Sequence, residues 1–240
     1  EKIYLKIIKI NSNIEVVQNN LGVIYLNFNR ISLAQSCFLK AIKINTGFVD
    51  AYNNLALLKN QIGEYNESII YSKQVLEIDP KLVNALYNLA YSYGKIDNKT
   101  NSIEYYLKTL EYDPNHFSAC CNLALTYFEL GETKKSIDIY RKANLIKPTD
   151  ILVKDNLACA LLRHSYFEEG FDFFESRLNK TNFEKIINSN HLNKLWNGED
   201  LNRKSILIIS EQGFGDTIQF ARYAYELSDF YKTDVIFLID

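Results

Sequence analysis

Two groups of residues in this sequence could do chemistry. The first is a column of asparagines, Asn20, Asn54, Asn88, Asn122 and Asn156, at steps of 34 residues. Each carboxamide carries both a donor and an acceptor, so it can pair with either half of a peptide bond whatever the side chains are. On helices, such a column forms a ladder suited to an extended peptide. Asparagine is a mediocre helix former, so five of them need a reason, and local structure is the competing one. Tyr87 and Tyr91 stand beside the column and could add stacking to a ligand or pack between helices. The second group is Glu211-Gln-Gly-Phe-Gly-Asp216, where Gly213 and Gly215 could shape a loop. A loop whose backbone N–H groups gather at a helix N-terminus favours an anion or a polar ligand. It could also be a turn, with Asp216 as a capping carboxylate favoured by the helix dipole.

The asparagine ladder needs evenly spaced helices, and the sequence supplies the period. The three prolines, Pro80, Pro114 and Pro148, are 34 residues apart. Leu21, Leu55, Leu89, Leu123 and Leu157 keep that register, each followed by a small residue: Gly22, Ala56, Ala90, Ala124 and Ala158. A second small column runs through Ala34, Ser68, Ser102, Ser136 and Gly170. Turn-formers recur at Asn29, Gly63, Asp97, Gly131 and Ser165, and aromatics at Phe38, Tyr106, Tyr140 and Phe174, with Ser72 the exception. Small residues let two helices approach, while leucine and the rings fill the space beside the contact. Gly, Asn and Asp tolerate the left-handed conformation that ends a helix. Proline stops the second helix. The unit is helix–turn–helix, and such units stack because none buries its apolar face alone.

This pattern resembles the tetratricopeptide repeat (TPR). Five units fit at 15–48, 49–82, 83–116, 117–150 and 151–180, and residues 1–14 match the second helix of a preceding unit. Lys59 departs from the pattern, standing where Tyr25, Tyr93 and Tyr127 stand. The fold class implied is mainly α, a right-handed α-solenoid over residues 1–180. The first helix of each unit then lines a concave groove that would hold a protein or peptide. The asparagine column is similar to the one in O-linked N-acetylglucosamine transferase, where it grips protein substrates.

Residues 181–204 read as a linker carrying the one tryptophan, Trp196. Residues 205–240 then read as strand, glycine-bearing loop, helix from Thr217 to about Tyr231, and second strand, the first β-α-β of a Rossmann-like α/β domain. Trp196-Asn-Gly-Glu-Asp-Leu201, Ser205-Ile-Leu-Ile-Ile and Glu211-Gln-Gly-Phe-Gly-Asp-Thr-Ile-Gln-Phe-Ala-Arg-Tyr223 resemble bacterial TPR proteins with a C-terminal GT-B glycosyltransferase domain related to heptosyltransferases. That resemblance assigns Asp216 the role of general base toward the acceptor hydroxyl, as inverting sugar transfer requires. A nucleotide sugar would be the donor in a longer parent. These residues would lack the donor-binding half, so they would hold no cofactor and catalyse nothing alone. The alternative is a non-catalytic scaffold whose α/β segment is degenerate or binds a nucleotide.

Composition narrows the remaining classes. The 240 residues carry 27 basic and 29 acidic side chains, which argues against a nucleic-acid binder. Cys37, Cys120, Cys121 and Cys159 with three scattered histidines give no metal-ligand spacing. They read as free, mostly buried thiols, which favours a cytoplasmic setting. No apolar run is long enough for a membrane span. With no methionine, the sequence reads as an excerpt of a longer protein.

Overall fold

A computed structural model describes residues 4, 14–175, 196, 205–209 and 214–238. The chain divides into two compact units, Glu1–Lys180 and Thr181–Asp240. Among the described residues of the first, ten helices follow one another: α1 Glu15–Asn27, α2 Ile31–Ile44, α3 Val49–Gln61, α4 Tyr65–Ile78, α5 Val83–Lys95, α6 Lys99–Tyr112, α7 Phe117–Glu129, α8 Thr133–Ile146, α9 Ile151–Arg163 and α10 Phe167–Phe174. They pair as five helix hairpins on the 34-residue period.

Every hairpin turn is built the same way. Asn29, Gly63, Asp97, Gly131 and Ser165 all have positive φ, between 57° and 82°. The next residue's N–H reaches back five positions to a helix carbonyl, as from Arg30 to Tyr25 and Tyr166 to Leu161, at 2.8–2.9 Å. This closes the last carbonyls of the first helix in a Schellman arrangement.

Inside each hairpin the small columns meet. Phe38 is fully buried against Gly22, where an added Cβ would sit 2.5 Å from the ring. The Ser102 hydroxyl donates to the Ala90 carbonyl at 2.9 Å, and the Ser136 hydroxyl to Ala124 at 2.8 Å. Serine there fills the close approach and satisfies its own oxygen. Leu55, Leu89, Leu123 and Leu157 are fully buried beside these contacts.

Consecutive first helices touch directly, α1 on α3, α3 on α5, α5 on α7 and α7 on α9, while each second helix wedges against the next first helix. The array therefore bends toward its first helices, which form the inner layer. Each second helix ends ahead of its proline or loop, α4 at Ile78 before Pro80 and α6 at Tyr112 before Pro114.

The second unit shows strand β1 Ile206–Ile209, helix α11 Phe214–Tyr231 and strand β2 Val235–Leu238. The strands pair in parallel, Ile206 opposite Val235 and Ile209 opposite Leu238. Trp196 meets Tyr231 edge-on, with ring centroids 5.4 Å apart. Helix α11 begins at Phe214, three residues before the start expected from the sequence. A glycine costs little in a first turn, and an aspartate there complements the helix dipole.

Candidate functional site

The asparagine column lies on the inner helices, and the structure shows where its amides go. The Nδ2 of Asn54 donates to Asn19 Oδ1 at 2.9 Å, and that of Asn88 to Asn53 Oδ1 at 3.2 Å. The Nδ2 of Asn122 donates to the Tyr87 hydroxyl at 3.2 Å. All three bonds span 35 residues, from one repeat to the residue just before the column position of the preceding repeat. Asn20 reaches the Tyr4 hydroxyl at 3.5 Å. These are rungs between repeats, each made by one of the two N–H groups of the amide.

The acceptor halves are used differently. The amide oxygens of Asn54, Asn88 and Asn122 accept no hydrogen bond, and none is among the buried, unpartnered atoms. They are therefore not fully enclosed, although Asn88 as a whole is only 4% exposed. At the fifth position the acceptor site is taken by Cys121, and Asn156 makes no rung. That junction is held instead by Arg163, which donates to the Phe128 carbonyl at 3.2 Å, and by Arg141, which bonds Glu169 at 2.5 and 3.2 Å.

One helical turn beyond each asparagine stands an apolar residue: Val23, Leu57, Tyr91 and Leu125. Leu57 is 38% and Leu125 42% exposed, while Val23 and Tyr91 are half-buried. Positions three apart share a helix face, so this apolar column borders the asparagines. It was not singled out from the sequence. The signal was available as a second apolar register on helices whose leucine column already supplies the core.

Tyr87 and Tyr91 divide between the two roles open to them. Tyr87 packs on His116 (4.8 Å) and Tyr106 (6.1 Å) while its hydroxyl takes the Asn122 rung. Burial pushes its phenol above the usual range, so it stays protonated. His116 is fixed in turn, its Nδ1 accepting from the Ala119 N–H at 3.1 Å as the cap of α7. Tyr91 sits at the edge of Tyr65, with the Lys95 ammonium 5.2 Å from its ring centre. The ring is half-buried, with Tyr87 6.3 Å away on its own helix.

The departure at Lys59 is compensated locally. Its side chain is 5% exposed and paired with Glu64 and, at 2.9 Å, with Glu67. Burial alone would lower its pKa, but the two carboxylates outweigh that and raise it. In repeats one, three and four the same position is a tyrosine with a cation nearby, Tyr25 with Arg30 at 6.0 Å, Tyr93 with Lys73 at 5.9 Å and Tyr127 with Lys135 at 5.3 Å, while repeat five has Leu161. Repeat two exchanges ring and cation for cation and two anions.

Of the loop residues, Gly215 and Asp216 are the second and third residues of α11, and Gly213 lies outside the described residues. The expected helix at 1–14 is described only at Tyr4 and Ile14, and the linker only at Trp196. The cysteines form no disulfide; Cys37 and Cys120 are buried, Cys121 is half-buried and Cys159 is exposed, so burial is less general than expected. Among the described residues no helix is long and apolar enough to cross a membrane.

Comparison with known proteins matches the tetratricopeptide-repeat family at residues 17–47, 49–82, 83–116 and 117–150, more than half of the chain. The chain belongs to the tetratricopeptide-repeat family. No curated protein matches it. Among solved structures it is similar to MamA, with 22% identity, 72% of this chain and 95% of that one covered, and a TM-score of 0.62. A MamA double mutant (RS-1) aligns at 16% identity, 73% and 97% coverage, and a TM-score of 0.64. YrrB, described as a TPR protein with an unusual peptide-binding site, aligns at 14% identity, 80% and 98% coverage, and a TM-score of 0.62. These likenesses establish the fold, a mainly α solenoid of TPR hairpins.

Proposed function

We propose that the inner face of this TPR array holds an extended segment of a partner protein. The observation that carries this reading is the paired columns on the first helices: carboxamides at Asn54, Asn88 and Asn122, whose oxygens accept no hydrogen bond among the described residues, beside exposed Leu57 and Leu125. Polar and apolar groups alternating along one face serve backbone and side chains of a peptide together. YrrB, a peptide-binding TPR structure of the same fold, is consistent with it. The reduced thiols fit a cytosolic setting for this activity.

Selection from a display library of peptides tests the reading. Binders should be recovered by the native array and lost by the Leu57→Asp/Leu125→Asp variant with helicity unchanged. Binders indifferent to those substitutions would place binding elsewhere.

A finer reading makes the array the recruiting arm of a glycosyltransferase. It is supported by the resemblance of the Glu211–Tyr223 run to TPR-linked GT-B enzymes and by the parallel pairing of β1 with β2 around α11. In it the partner is the acceptor, a nucleotide sugar is the donor, and Asp216 is the base. Asp216→Ala in the longer protein should abolish transfer while leaving peptide binding intact. Full transfer by that variant would remove Asp216 from the mechanism.

A further inference from the structure

We infer that the array is built as two cooperative blocks, repeats one and two against repeats three to five, and that the first block opens along the seam between α4 and α5 while the second stays folded. This goes beyond the peptide-binding reading and does not depend on it.

The apolar core is interrupted at this seam. Among the described residues, one buried cluster runs from Leu21 to Leu58 and another from Ala90 to Leu161. Between them lies a small group, Ile69, Leu89 and Tyr93. Phe38, Tyr106 and Tyr140 each carry a buried ring into the large clusters, whereas Ser72 holds the same position in repeat two. Stacked repeats take their cooperativity from the interfaces between neighbours. A gap in apolar burial is therefore a gap in coupling.

The seam is filled by polar groups instead. Ser92 is fully buried on α5, its hydroxyl oxygen 2.7 Å from Asn60 Oδ1, 2.7 Å from the Asn88 carbonyl oxygen and 2.9 Å from the Ser68 hydroxyl. The Nδ2 of Asn60 donates to the same carbonyl at 3.3 Å. Asn60 and Ser68 belong to repeat two, Asn88 and Ser92 to repeat three. Leu26 and Leu58 stand at the positions of Asn60 and Ser92 between repeats one and two, and Phe128 and Ala160 between repeats four and five. Between repeats three and four they are Gly94 and Thr126, and Thr126 donates to the Asn122 carbonyl of its own helix at 2.8 Å. Ser92 has one proton to share among its neighbours, and a net hydrogen bond contributes less than the burial of a large apolar side chain.

The first block also carries two costs of its own. Lys59 is a buried charge that depends on Glu64 and Glu67, and the buried Ser72 hydroxyl has no partner. These make repeats one and two the block that opens first. The Asn88 to Asn53 rung crosses the same seam, so opening divides the inner face.

Hydrogen exchange of the whole chain in sub-denaturing urea, read by mass spectrometry of peptic fragments, tests this. Amides of α1–α4 should share one opening, and those of α5–α9 a second one that is slower by roughly tenfold or more. The step should fall between Ile78 and Val83. Ile137→Val trims the core of the second block, and should speed exchange in α5–α9 by about two- to tenfold while leaving α1–α4 unchanged. One opening shared by all of these helices, a smooth gradient, or a step at another repeat boundary overturns the inference. So does a variant in which α1–α4 accelerate along with α5–α9.

Discussion

Asn88 donates through Nδ2 to Asn53 Oδ1 at 3.2 Å, and thus ties the third repeat to the second across the inner face. Asn54 and Asn122 make the same tie one repeat earlier and one later. The column therefore contributes to stability, beside the recognition proposed for it. Replacing Asn54, Asn88 and Asn122 by alanine together removes about 3 kcal/mol of net hydrogen bonding, of which alanine's better helix propensity returns about 2 kcal/mol, so urea unfolding should show a net loss of about 1 kcal/mol. Asn88→Asp should cost more than Asn88→Ala, because it sets a carboxylate oxygen against the Asn53 oxygen. A triple variant as stable as the parent would mean that the rungs are incidental.

Lys59 gives a test in the alkaline range. Its folded pKa is raised above 10.5, so the stability it contributes is complete below the unfolded value and is lost as pH climbs through the folded one. Denaturation midpoints of the parent should fall above about pH 10.5 more steeply than those of Lys59→Met. Because Glu64 and Glu67 are about half exposed, the pair is partly screened and the difference should be modest. The Glu64→Gln/Glu67→Gln double variant should be less stable at neutral pH than Lys59→Met, since it leaves a buried ammonium unpaired. The reverse order would show that the carboxylates do not compensate the charge.

Gly22 and Phe38 form a tight hairpin contact. A Cβ on residue 22 would lie 2.5–3.1 Å from three atoms of the Phe38 ring, which is fully buried. Gly22→Ala should lower stability by about 1–3 kcal/mol through overpacking. Adding Phe38→Leu should recover part of that loss, although Phe38→Leu alone destabilises. Such a sign change in a double-mutant cycle is the mark of direct contact; simple additivity would argue against it.

Much of this fold was legible because every constraint recurs. One proline period fixed the register, and the turn-formers fixed where left-handed backbone must occur, down to Asn29, Asp97 and Ser165. The site was less legible. A column of asparagines advertises hydrogen bonds, but their partners stand 35 residues earlier, at Asn19, Asn53 and Tyr87, a column that does not keep one residue type. Lys59 looked like a break in the pattern because its partners, Glu64 and Glu67, lie past the turn. The start of α11 at Phe214 was hidden by two glycines that read as loop.

Ser72 marks the place where repeat two lacks the aromatic of its neighbours. The residue is fully buried and its hydroxyl has no partner, whereas Ser68, Ser102 and Ser136 bond theirs. An unsatisfied buried hydroxyl costs about 1–3 kcal/mol, and serine is a poorer helix former than alanine. Ser72→Ala removes both penalties and should raise stability by about 1 kcal/mol or more, a rise in Tm of a few degrees for a domain of this size. Ser102→Ala should instead lower it, since that hydroxyl donates to Ala90 at 2.9 Å and its loss strands nothing useful in return. The opposite signs separate the effect of the hydroxyl's partner from the effect of helix propensity, which is the same at both positions. If both variants gain stability equally, propensity alone is acting and the unpartnered hydroxyl of Ser72 carries no cost.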